Sequence, residues 1–380
     1  MRLRGAWMVA AAVAAMAAVA AIWLLARPEP LERVREVRPE WPAVAHVMNG
    51  RLWLVHRVAS PEGRWSVESL CAPLVGGKPV SARADAPADV WIRQVASAGD
   101  GLWFPYASEK GGAGGAAARR GYGPGGILML HAAGGEARTV VACDRVAADR
   151  GGSSLALSGG CAWWVEVGKE KPRRLRLVRT RLSDGARTEV PCALVGRPEL
   201  APTADGVAWR AHAPKPGLPP PDLLLASNND GRLRRLVAYA GEGMPVALGE
   251  RYFWFERGND ATRRLMSEAR EGGGRREDAV LPAEQGAAAP TSLQAAGRSL
   301  CYLVVDPAGA ASLWRFVPDA GRPPSPVCAL PDESQGGRLS IDGGSAYIVT
   351  LRMPRATATP ANASASNVPV YTVWRVPLPA

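Results

Sequence analysis

Polar side chains stand where seven short apolar runs give out: His56 after RLWLV, Tyr106 after GLWFP, Glu166 after CAWWV, His212 after GVAWRA, Glu256 after RYFWF, Asp306 after SLCYLVV and Thr350 after SAYIV. Imidazoles and carboxylates gathered at one place can trade protons with a substrate or grip a polar ligand. His56, Tyr106, Glu166, His212, Glu256 and Asp306 are therefore the candidate ligand-binding residues. None carries a catalytic assignment, because a polar residue also ends any strand that leaves a core.

Other chemistry is poorly supplied. The chain has only four histidines, no serine in GxSxG and no HExxH, so neither a nucleophile elbow nor a zinc helix is encoded. The glycines in EKGGAGGAAARRGYGPGG, Glu109 to Gly126, could wrap a phosphate, but Lys110 precedes them and the following GILMLH reads as a strand rather than a helix. CxxC and CxxxH spacings are absent, and no metal or cofactor is expected.

Repeats decide which elements position these residues. A turn with Gly, Asn or Asp followed by an aromatic-rich apolar strand recurs with anchors at Trp53, Trp103, Trp163, Trp209, Trp254, Tyr302 and Tyr347, in steps of 50, 60, 46, 45, 48 and 45 residues. An average near 49 is the length of a four-stranded propeller blade. A second hairpin is marked by glycine with arginine soon after, at Gly63-Arg64, Gly135 to Arg138, Gly185 to Arg187, Gly231-Arg232, Gly274-Arg275 and Gly321-Arg322. Two hairpins per repeat predict an all-β, seven-bladed β-propeller of four-stranded antiparallel blades over residues 41–380. A β-sandwich pair or a β-helix would need a different repeat length. After Tyr347 only one further strand remains, VYTVWRVPL, so Leu31 to Arg38 within the linker 27–40 is the candidate to complete the last blade. His56 and His212 then fall in the first and fourth blades, too far apart to share a metal.

These units resemble those of bacterial propellers of the TolB-like type, which also read as an apolar strand, a turn with Asp or Gly, and a second hairpin followed by basic residues. The resemblance implies a fold and an envelope setting and transfers no site residues.

The repeats also order the cysteines and the inserts. Cys71, Cys143, Cys192 and Cys328 are read as equivalent positions near the ends of fourth strands, with Cys161 and Cys301 near the starts of second strands. Equivalent places in neighbouring blades lie farther apart than the roughly 7 Å a disulfide allows, so six buried thiols and no bridge are expected. Excess length gathers in the connections between second and third strands, at Glu109 to Gly126, Ala213 to Asp222 and Arg352 to Pro369. One face should therefore be rich in loops.

Residues 6–26, AWMVAAAVAAMAAVAAIWLLA, form 21 uncharged residues, long enough to cross a hydrocarbon layer of roughly 30 Å. Arg2 and Arg4 in the short cytoplasmic segment 1–5 place the remainder outside the cell membrane, with Arg27 a weak counter-signal. Cleavage after Ala18-Val19-Ala20 is the alternative and would give a secreted domain. Residues 28–380 carry 43 basic and 35 acidic side chains. A net +8 outside the cytoplasm suits an envelope protein or anionic polymer as partner rather than nucleic acid, although a solvated arginine-rich surface gives the same count. The expected function is a monomeric, membrane-tethered interaction module. A hydrolase, lyase or small-ligand sensor at the channel mouth is the alternative.

Overall fold

The computed structural model describes residues 31–39, 41, 43–59, 65–86, 89–90, 96–98, 101–107, 122–131, 138–147, 155–167, 175–194, 198–203, 205–211, 222–228, 233–238, 241–258, 262–281, 290–306, 310–331, 335–352 and 369–378. Every regular element among them is a β-strand. The apolar segment 6–26 lies outside the described residues, and no helix among the described residues is long and apolar enough to cross a membrane.

β1 (Glu32–Val37) comes first, followed by a four-stranded sheet of β2 (Val44–Met48), β3 (Arg51–Ala59), β4 (Trp65–Pro73) and β5 (Val80–Ala86). β6 (Asp89–Val90), β7 (Ala96–Ala98), β8 (Gly101–Ala107), β9 (Tyr122–His131) and β10 (Arg138–Ala147) share one sheet with β11 (Leu155–Ser158), β12 (Cys161–Val167), β13 (Leu175–Arg181) and β14 (Arg187–Leu194). Three further four-stranded sheets are β15 (Pro198–Thr203) to β18 (Leu233–Ala238) through β16 (Gly206–Ala211) and β17 (Asp222–Ser227); β19 (Gly241–Leu248) to β22 (Arg276–Val280) through β20 (Arg251–Arg257) and β21 (Arg263–Ala269); and β23 (Pro290–Ala296) to β26 (Ser325–Ala329) through β24 (Ser299–Val305) and β25 (Ala311–Phe316). The last sheet runs β27 (Gln335–Asp342), β28 (Ser345–Arg352), β29 (Val370–Pro377) and then β1, so the first strand of the chain completes it antiparallel to β29.

Seven separate blades are therefore corrected to six sheets. The second and third repeat units merge into one nine-stranded sheet because β10 bridges β12 at Val146↔Glu166. Innermost strands touch in succession: β7 meets β11, β11 meets β15, β15 meets β19, β19 meets β23, β23 meets β27, and β27 meets β2. The sheets thus follow one another with their first strands innermost.

Turn chemistry sets the register. In each repeat the first two strands join through a two-residue turn, closed by Met48↔Arg51, Ala98↔Gly101, Ser158↔Cys161, Thr203↔Gly206, Leu248↔Arg251, Ala296↔Ser299 and Asp342↔Ser345. Asn49-Gly50, Gly159-Gly160 and Gly343-Gly344 hold both turn residues at positive φ, the backbone that matches the twist of a tight hairpin. The first unit departs from the sequence reading: its outer hairpin turns at Gly76-Gly77, so Gly63-Arg64 falls in the connection from β3 to β4, and Cys71 lies on the third strand rather than the fourth. The glycine-rich insert is also shorter than read, since Tyr122 to Gly126 belongs to β9 and Gly126 pairs with Tyr106. Pairing with strands on both sides overrides the poor strand propensity of these glycines.

Each sheet buries both faces. Trp163 and Val165 pack on Val207 and Ala226 of the next unit, Phe253 and Phe255 on Leu300 and Tyr302, and Cys301 and Leu303 on Ala346 and Ile348. Leu52 and Leu54 of the first unit close the ring against Val349 and Val373 of the last. At about 1.5–3 kcal/mol per fully buried large apolar side chain, these interfaces supply the main stabilisation. Polar clamps align them on the turn side: Asn228 accepts from Trp163 Nε1 and donates to Ser158 Oγ, both at 2.9 Å, while Asp205 accepts from Arg270 Nε at 2.8 Å and Tyr252 Oη at 3.2 Å.

Cys71, Cys161, Cys301 and Cys328 are buried and unbridged; the side chains of Cys143 and Cys192 lie outside the description. Burial pushes the Cys301 and Cys328 thiols up to about 11, so both stay protonated and unreactive at neutral pH.

Gly206 opens β16 where a Cβ would stand 1.8 Å from the Ala226 carbonyl oxygen, whereas a Cβ on Gly160 meets nothing within 4 Å. In urea unfolding, Gly206→Ala should cost about 3 kcal/mol or more through backbone displacement. Gly160→Ala should cost only about 1–2 kcal/mol from its left-handed φ.

Candidate functional site

Counted from the tight turn, His56, Tyr106, Glu166, Glu256 and Thr350 all occupy the sixth position of their second strand. The same position in the fourth and sixth units holds Ala211 and Val304, so His212 and Asp306 lie one and two residues farther on. The expected ring of polar groups is broken at these two places. The reason is local: aromatic anchors sit at the third position in some units (Trp53, Trp103, Trp163, Tyr347) and the fourth in others (Trp209, Trp254, Tyr302), so counting from an aromatic residue does not fix the register.

Three of the sixth-position groups are engaged within the fold. Glu166 accepts from Trp164 Nε1 at 2.9 Å and pairs with Arg187 Nη2. Glu256 repeats the arrangement, accepting from Trp254 Nε1 at 2.7 Å while both of its oxygens take Arg275 Nη2, at 2.8 and 2.6 Å. Thr350 Oγ1 accepts from Trp374 Nε1 at 3.0 Å. For Trp164 and Trp254 a buried indole N–H, and for Trp374 a partly buried one, would lack a protein partner without this acceptor, which is a structural reason for a polar group at the strand end.

His56 and Asp306 are engaged elsewhere. His56 stacks on Trp41 with ring centroids 4.9 Å apart and planes 19° from parallel. Asp306 is exposed and closes a local turn, its carboxylate accepting from the Ala310 N–H at 2.8 Å. Tyr106 lies on β8 with its side chain outside the description, and His212 lies outside the described residues. Among the described residues no group of three or more His, Cys, Asp or Glu is placed to hold a metal ion.

Sequence reading missed the pairing itself. The repeated Trp-x-Glu of Trp164-Val165-Glu166 and Trp254-Phe255-Glu256 was visible, as were Arg187 and Arg275 behind the outer hairpin. Taken together they encode an indole–carboxylate–guanidinium triad. Only the register of the second strand against its neighbours shows that they meet.

One other place is accessible among the described residues. An open depression of about 660 Å³ lies between the third and fourth units on the turn side, lined by Gly159, Gly160, Arg181, Ser183 and Asn228 among others. Arg181 is already paired there with Asp184 at 2.8 Å.

No protein family and no curated protein matches the sequence. Solved structures do match in shape. The β-propeller domain of the Trilobed protease from Pyrococcus furiosus aligns with a TM-score of 0.52 at 8% identity, covering 93% of this chain and 96% of that one. The fold is a β-propeller. An oligogalacturonate lyase in complex with manganese aligns with this propeller at a TM-score of 0.53 and 13% identity, over 93% and 94% of the two chains. An acylaminoacyl peptidase in complex with a chloromethyl ketone gives 0.54 and 10%, covering 87% of this propeller but only 50% of the peptidase, so the chain spans about half the length of that enzyme.

Glu166 and Glu256 side chains are each 11% exposed, against 43% and 40% for their arginines. Glu166→Ala or Glu256→Ala should therefore each cost about 2 kcal/mol in urea unfolding, less than a wholly buried pair because solvent reaches the guanidinium. Asp306→Ala should stay below about 1 kcal/mol. A gain in stability at Glu166 or Glu256 would instead mark a strained ligand-binding group.

Proposed function

We propose that this chain is a membrane-tethered, extracytoplasmic propeller of the TolB-like kind that acts as an interaction module, docking another envelope protein or an anionic polymer on its loop-rich face. The observation that carries this reading is the state of the strand-end carboxylates: Glu166 and Glu256 are each held by an indole N–H and a guanidinium, so neither is poised for acid–base work. The net +8 of residues 28–380 supports an anionic partner, and the apolar run 6–26 supports a tether in the cell membrane with the propeller outside. Cleavage of that run would release the same module as a secreted one.

A hydrolase or lyase working at the channel mouth is the second reading. It is favoured by likenesses to an acylaminoacyl peptidase and, over nearly the whole of both chains, to an oligogalacturonate lyase. The two readings separate in one experiment, in which the full-length protein in detergent micelles is titrated with alginate, an anionic polyuronate, at low and high sodium chloride while the polymer length is monitored. Docking predicts binding that weakens at least tenfold with salt, with the polymer left intact. Shortening of the polymer would establish the lyase or hydrolase reading, and absence of both binding and cleavage would remove the polymer as a partner.

A further inference from the structure

β1 fixes the side on which the chain enters the propeller. Its partner β29 ends beside the tight turn of the last sheet, with Pro377 opposite Ser345 and the Leu378 N–H donating to the Gly344 carbonyl at 3.0 Å. β1 runs antiparallel to β29, Glu32 opposite Arg375 and Val37 opposite Tyr371, so it begins on the turn side and ends toward the loop-rich side. Between Ala26, where the apolar run stops, and Glu32 lie five residues, Arg27 to Leu31. Fully extended they reach only about 20 Å. The loop-rich side is farther off than that, since the eight residues of β28, which ends there at Arg352, alone span about 26 Å.

A second feature marks the turn side. The outer hairpin of the first sheet, joining β4 to β5, turns beside the point of entry: the Leu74 N–H donates to the Gly50 carbonyl of the tight turn at 2.9 Å, and Arg35 of β1 reaches the Gly76 and Gly77 carbonyls at 3.5 and 3.4 Å. Val75 and Lys78 are exposed at its tip, and Val80 follows at the start of β5. Of the three large apolar side chains exposed among the described residues, two are Val75 and Val80, at 83% and 43%. Valines flanking a lysine suit the boundary between water and lipid, where the apolar groups leave water and the ammonium meets headgroup phosphate.

We propose that the turn side of the first and last sheets is seated on the bilayer that holds the tether, with residues 74–79 against the lipid headgroups, so that the loop-rich side points away from the membrane. The tether selects its own bilayer as the occupant, because its length brings the turn side within reach and keeps the loop-rich side out of it. The proposal rests on the tether in the reading above and adds the direction in which the docking face points. A partner is then met by connections held the depth of a sheet away from the lipid.

The test places the full-length protein in vesicles of phosphatidylcholine and phosphatidylglycerol that carry nickel-chelating headgroups. A nitroxide label is attached at Val75→Cys or, on the opposite side, at Arg352→Cys, and unsubstituted protein treated alike supplies the background. Both positions are exposed and both variants should melt as the parent does; Asp306→Cys, exposed on the same side as Arg352, serves in its place if that variant does not. Across the depth of a sheet, nickel at the headgroups should enhance relaxation of the label at position 75 about fivefold or more over that at position 352. Equal enhancement overturns the seating and would mean that the propeller lies on its rim or swings on the tether. Greater enhancement at position 352 reverses the orientation and overturns it as well. Release of the parent from the vesicles by alkaline carbonate, measured before any label is attached, removes instead the tether on which the proposal rests.

Discussion

Antiparallel pairing of β1 with β29 is the interaction on which the remaining architecture depends. Each sheet is apolar on both faces and is stable only between two neighbours, so a row of such sheets would leave two end faces open to water. By lending its first strand to the last sheet, the chain brings those end faces together. Val37 then lies buried among Leu52 and Leu54 of the first unit and Val349, Tyr371 and Val373 of the last. The seam is secured by Tyr371 Oη, which donates to the Ala43 carbonyl at 2.6 Å and accepts from the Ala43 N–H at 2.7 Å, and by Asp342, which accepts from the Gly50 N–H at 2.6 Å.

The strand ends show how a structural need can imitate an active site. A buried indole N–H favours an acceptor, and in Trp164-Val165-Glu166 and Trp254-Phe255-Glu256 the residue two places along the strand lies on the same face and supplies it. Glutamate at that place is in turn neutralised by an arginine from the outer hairpin. The repeated glutamates at Glu166 and Glu256 therefore follow from packing indoles between sheets.

Much of the fold was legible in the sequence, because tight turns and apolar strands recur at a four-strand period and Leu31 to Arg38 has the alternation of a strand. Register was less so. Trp163 and Trp254 look equivalent but occupy adjacent positions on opposite faces, and this shift misplaced His212 and Asp306 in the ring. The merging of the second and third units depends on the single bridge Val146↔Glu166, which no local pattern announces. Likewise, Gly63-Arg64 and Gly76-Gly77 are both plausible hairpin turns, and only the pairing of β4 with β5 chooses between them.

The closure itself is tested most directly by Val37→Asp in the full-length protein, followed by hydrogen exchange and urea unfolding. A carboxylate buried in the seam should lower stability by about 3 kcal/mol or more. The account predicts that amides of β1, β29, β28 and β3 lose protection first, ahead of those in β16 and β20 on the far side of the ring. Unchanged unfolding with uniform protection would contradict it, and would mean that the sheets hold one another without the strand that closes them.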